Sequence, residues 1–91
     1  MPGDADPPTG AYEQARVCLE IIGRALDEAG GGLDDVVRTR IYVTDASDID
    51  EVGRAHGEAF GSARPATTGI VTVLLDPRWR VEIEAEAVIA L

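Results

Sequence analysis

From Val81 to Ile89 the chain alternates without a break. Val81, Ile83, Ala85, Ala87 and Ile89 take one side, and Arg80, Glu82, Glu84 and Glu86 take the other. A period of two puts successive side chains on opposite faces of a strand, so this segment reads as a strand with one apolar and one charged face. Three carboxylates in a row on one face repel each other, and something must solvate or neutralise them. A second β-rich run, Arg64 to Leu75, lies just upstream, with Asp76-Pro77-Arg78-Trp79 between the two. An Asp-Pro turn between β-rich runs predicts a hairpin, which sets Glu82 opposite Leu74 or Thr72.

The rest of the chain supplies two helices and one more strand. Apolar residues recur at Tyr12, Ala15, Leu19, Ile22, Leu26 and Ala29, in steps of three and four that mark one helix face. The spacing predicts a helix over Ala11–Ala29, with Thr9 as its cap and Gly30-Gly31-Gly32 as its stop. Val36 to Val43 reads as a strand, with Val37, Thr39, Ile41 and Val43 opposite Val36, Arg38, Arg40 and Tyr42. Ser47 and Asp50 resemble a capping box with Asp in place of Glu, opening a helix over Asp48–Phe60. Its stripe is Ile49, Val52, His56 and Ala59, and Gly61 ends it. Residues 1–10, rich in Pro, Gly and Asp, read as a disordered leader, and residues 11–91 as one domain. The order is helix, strand, helix, strand, strand: an α+β fold with both helices on one face of a mixed sheet. Two helices cover one face only. The other, carrying Arg38, Arg40 and the Glu row, is either a solvated polar face or a seam between subunits.

Composition narrows the function. Ninety-one residues form one small domain with a thin stability margin. The only aromatics are Tyr12, Tyr42, Phe60 and Trp79, so Val, Ile, Leu and Ala must build the core. Acidic residues outnumber basic ones 17 to 8, a formal charge of −9. That argues against binding to a nucleic-acid backbone or to an anionic membrane, both of which need a cationic face. Every basic residue is Arg, so no Lys offers a Schiff-base amine. Cys18 has no internal disulfide partner and reads as a buried helix thiol. One Cys and one His provide no metal-site spacing, and no cofactor is expected. The glycine triplet follows a helix, whereas a phosphate loop precedes one. The opening residues lack a basic, then apolar, targeting pattern, so a cytoplasmic protein is expected.

The order of short matches from Ala11 to Ala87 resembles the Rid family (reactive intermediate deaminases, also called YjgF-like or L-PSP). It runs through "AYEQAR", "ALDEAGGGLDDVVRTRIYVTDASDIDEVGRAHGEAFG", "PATT" and "VEIEAEA". The resemblance implies a chorismate-mutase-like architecture, a homotrimer with sheets facing a central core, and small-molecule sites in the clefts between subunits. Family members carry extra strands ahead of the first helix. Here only ten residues precede Ala11, and they lack a strand pattern.

The same resemblance assigns roles. Active members grip the substrate carboxylate with the Arg of a Pro-Ala-Arg motif, and a guanidinium suits this because it binds a carboxylate bidentately. In Pro65-Ala66-Thr67 that position is Thr67, an uncharged hydroxyl. Glu82 falls on the glutamate implicated in ordering the attacking water. Gly69 falls where a backbone amide faces the ligand carboxylate. Arg64 stands three residues before Thr67, either a second ligand contact or a surface Arg. Glu84 and Glu86 read as a salt-bridged or solvated strand face. His56, the single imidazole, reads as a core or interface residue, with no Cys, Ser or Asp near it in sequence to form a triad. Three functions follow: a metabolite-binding protein with weak or no enamine/imine deaminase activity, an active deaminase using Glu82, or a purely structural domain. The loss of Arg at position 67 favours the first.

Overall fold

The computed structural model describes residues 6–90. Helix α1 spans Ala11–Glu28, strand β1 Val36–Val43, helix α2 Ile49–Phe60, strand β2 Ala66–Val71 and strand β3 Val81–Ala87. The element order and both helices agree with the sequence pattern.

Three local details differ from that pattern. Gly10, not Thr9, is the N-cap of α1, and no side chain caps it. The turn before α2 is tied by Asp45, whose carboxylate accepts from the Ser47 N–H and hydroxyl, so the expected Ser47–Asp50 box does not form. In β1 a bulge between Val36 and Arg38 buries Val36 and exposes Val37, because the extra residue shifts the alternation by one. The end of α1 is as expected. Gly30 sits at φ 89°, its N–H donates to Asp27 O, and the Gly31 N–H donates to Leu26 O. This pair satisfies two of the helix's last carbonyls.

The largest correction concerns the hairpin. The sheet order is β2-β1-β3, so the two C-terminal strands never touch. β2 runs parallel to β1, joined to it by α2 as the crossover a parallel pair requires. β3 returns antiparallel on the other edge of β1. The Asp76 turn does form, with Asp76 accepting from the Arg78 and Trp79 N–H groups, but it is part of a longer passage across the end of β1. The Thr72 N–H bonds to Val43 O, and the Thr44 N–H to Arg80 O, pinning that passage. Leu74 and Thr72 therefore do not face Glu82, whose partner is Tyr42.

Both helices pack on one sheet face. The core gathers Ala15, Cys18 and Leu19 from α1, Val52, Ala55 and Phe60 from α2, and Ile41, Val43, Val81 and Ile83 from the strands, with Trp79. Cys18 is a buried free thiol, and burial raises its pKa, so it behaves as a small apolar residue. The leader expected over residues 1–10 lies partly outside the described residues. Of the remainder, the Pro8 carbonyl accepts from Gln14 Nε2, the Thr9 carbonyl accepts from Arg80, and Asp6 pairs with Arg78. Gln14, buried in α1, also binds the Arg78 carbonyl and the Arg80 N–H, so one amide ties the leader to the passage before β3. Arg80 closes the same corner with a two-pronged contact to buried Asp48 at 2.7 and 3.1 Å.

Candidate functional site

Residues paired in register share a sheet face. The β1 register therefore divides the candidate residues. Thr39, Ile41 and Val43 face the helices, with Thr67, Gly69 and Val71 beside them on β2. Arg38, Arg40 and Tyr42 take the opposite face, with Glu86, Glu84 and Glu82 on β3.

On the open face the carboxylates are neutralised within the chain. Glu84 accepts from Tyr42 at 2.6 Å and from Arg40 at 3.0 Å, and Arg38 lies 3.5 Å from Glu86. The Tyr42 hydroxyl first, and Arg40 second, hold the Glu84 carboxyl below the usual carboxylate range. The expected role of Glu84 and Glu86 as a salt-bridged strand face is what is observed. Glu82 lies beyond them at the Tyr42 end, half-buried, and takes no part in these pairs.

On the helix face, at the β2 edge, sits a cluster the sequence did not disclose. The Thr39 hydroxyl lies 2.8 Å from His56 Nε2 and 2.8 Å from the Thr67 hydroxyl. Thr67 in turn lies 3.4 Å from the same nitrogen and 3.3 Å from the Pro65 carbonyl. Thr39 is wholly buried, His56 half-buried and Thr67 exposed, so the two hydroxyls run from a partly buried imidazole to the strand edge. Burial lowers the His56 pKa and keeps the ring neutral near pH 7. The ring also leans on Phe60, with centroids 4.7 Å apart. His56 is a packed residue as expected, but its partners are threonines brought in from two strands. No sequence neighbour could signal this, since Thr39 is 17 residues away from His56.

Gly69 continues along β2 from Thr67, facing the Ile49 side chain of α2. Arg64 is exposed at φ 50°, the left-handed region, and its N–H bonds to the Phe60 carbonyl, closing the last turn of α2. Thr67, Gly69 and Arg64 thus occupy one edge. Glu82 does not join them: it lies on the other sheet face with β1 intervening, and its register partner Tyr42 stands three residues along β1 from Thr39, the partner of Thr67. A groove of about 480 Å³ between α1 and α2, edged by Tyr12, Arg16, Glu20 and Glu58, includes none of these residues.

A helix pair on one face of a mixed three-stranded sheet, in the order β2-β1-β3, defines a recognisable class. Residues 3–89 match the family model described as "Endoribonuclease L-PSP", and the chain belongs to that family, also called YjgF or Rid. Its fold is close to the crystal structure of a member of the YjgF/YER057c/UK114 family from Mycobacterium tuberculosis. The TM-score is 0.86 and the identity 49%, covering 96% of this chain and 72% of that one. An uncharacterized protein of Streptomyces coelicolor is 42% identical over 93% of this chain, which spans 61% of that relative's length. A goat protein named 2-iminobutanoate/2-iminopropanoate deaminase is 35% identical over 89% of this chain, which spans 59% of the goat sequence. No helix among the described residues is long and apolar enough to cross a membrane.

Proposed function

We propose that the protein is a cytoplasmic, homo-oligomeric binder of small carboxylate or imine metabolites, most simply a homotrimer, with weak or no enamine/imine deaminase activity. One observation carries this reading: the Thr67 side chain, where active relatives are expected to hold an Arg, is an exposed hydroxyl bonded to Thr39 and not a guanidinium. Losing a charge-assisted contact to a carboxylate costs about 1.5–3 kcal/mol, or roughly ten- to a hundredfold in turnover.

Glu82 and Thr67 lie too far apart in one chain to share a ligand, so the site is completed between subunits, with Glu82 of one copy supplying the water-ordering carboxylate. Support for assembly comes from the sheet face that no helix covers and from the apolar edge beside β2. There Val73 is 90% and Leu75 105% exposed, a solvation cost that a partner would remove. The family description mentions an endoribonuclease, but a charge of −9 with no Lys suits a phosphate backbone poorly.

The test is imine decay after generating 2-iminopropanoate in solution. Little or no acceleration is expected. Turnover matching that of an active deaminase would favour the alternative, an enzyme using Glu82 without the Arg.

A further inference from the structure

The chain His56–Thr39–Thr67 has a direction, because each hydroxyl owns one proton. A neutral ring with Nε2 bare accepts from Thr39, Thr39 accepts from Thr67, and Thr67 then shows only lone pairs to the outside. A neutral ring carrying its proton on Nε2 reverses every bond. A protonated ring permits only the reversed order: Nε2–H donates to Thr39, Thr39 donates to Thr67, and the Thr67 proton is left for the Pro65 carbonyl 3.3 Å away or for a ligand that displaces that contact. The two 2.8 Å contacts at Thr39 allow either order without movement.

We propose that His56 is a proton-linked positioning residue of the Thr67 site, taking up a solvent proton when a monocarboxylate binds and turning the Thr67 hydroxyl toward the ligand as a donor. This rests on the reading of Thr67 as a ligand contact and names what replaces the missing guanidinium there. A carboxylate bonded to Thr67 comes to rest about two hydrogen bonds from the imidazolium, close enough for the charge to count in a partly buried setting. Proton and ligand then favour each other by the same factor.

The surroundings of the ring make His56 the group that responds. Arg38 and Arg40 of β1 are turned to the other sheet face and paired with Glu86 and Glu84. Glu51 and Glu58 of α2 pair with Arg54, and Asp34 accepts from Ser62. Asp50 and Arg64, the remaining charged residues of α2 and of the approach to β2, are exposed. Burial alone accounts for the neutral ring. A bound anion is the one new charge that would oppose it.

His56 is the only histidine, so its ring signals in a proton NMR titration need no assignment by mutation. The full chain is titrated with and without saturating pyruvate, and pyruvate affinity is measured by calorimetry at about pH 8 and about pH 5.5. Expected are a rise of about one unit in the His56 midpoint and about tenfold tighter binding at the lower pH. Pyruvamide, the uncharged amide, should show neither effect. His56→Gln should leave pyruvate binding pH-insensitive to within about twofold, and Thr39→Val should weaken the pH dependence without abolishing it, since Thr67 keeps its 3.4 Å approach to His56 Nε2. Equal affinity at both pH values with an unmoved midpoint overturns the proton linkage while leaving Thr67 as a ligand contact. Absence of pyruvate binding at either pH overturns both.

Discussion

Thr39 illustrates how one buried hydroxyl can hold a local arrangement together. It is fully enclosed and bonded on both sides, to His56 and to Thr67. Thr39→Val keeps the shape but leaves its partners short of a bond, and the expected cost is about 1 kcal/mol, read as a lower thermal midpoint. His56 adds a pH term whose sign is fixed by burial. Its folded pKa lies below the ordinary 6.5, so the unfolded chain takes the proton first. Stability is therefore present above that value and drains away as pH falls through it. The carboxyls held low by their neighbours (Asp45, Asp76 and Glu84) lose their contributions only in more acidic solution. Denaturant melts between about pH 7.5 and about pH 5.5 should show a decline that His56→Phe flattens; an equal slope in both proteins would remove His56 as its source. Arg64 offers a third test. Its left-handed backbone is strained for any side chain with a Cβ, so Arg64→Gly should change stability by less than about 1 kcal/mol. If pyruvate affinity also stays unchanged in that variant, Arg64 is a turn residue and not a ligand contact.

At the scale of elements, the helices obey their own periodicity and punctuation. Gly30 ends α1 at φ 89°, in open space, so Gly30→Ala meets no clash but keeps the backbone penalty. A loss of about 1 kcal/mol is expected on thermal melting, and no loss would mean that the turn relaxes to another conformation. The strands were legible as strands, and β3 face by face, yet not as a sheet. The Asp76 turn is real, and its flanks diverge because β1 offers two open edges and takes β2 on one and β3 on the other. Pairing is decided by which edges are free and by how α2 carries the chain over, neither of which a local run reveals. The same limit hid the bulge at Val37, where a one-residue slip reverses the alternation that the sequence otherwise announces.

For the molecule as a whole, the uncovered sheet face and the edge after β2 set the question of assembly. Light scattering at micromolar concentration is expected to give a mass several times 9.6 kDa. Val73→Asp, at a position already 90% exposed in the single chain, should lower that mass while leaving the circular dichroism of the fold intact. A monomer in the unaltered protein would also dismantle the intersubunit site, since Glu82 and Thr67 lie on opposite faces of one sheet.

From the sequence come the two helices, the three strands and the alternation of β3 between a buried and a charged side. These follow from periodicities of two and about 3.6 and from glycine at a turn, all of which act over a few residues. It also singled out position 67 as the departure from the family pattern. That β1 is central, that Glu82 and Thr67 part to opposite faces, and that His56 stands behind Thr67 through Thr39 emerges only in the folded chain. Those facts depend on which distant segments share an edge. Thr39, His56 and Thr67 each look unremarkable in sequence, and they become a connected path only because β2 pairs with β1 beneath α2.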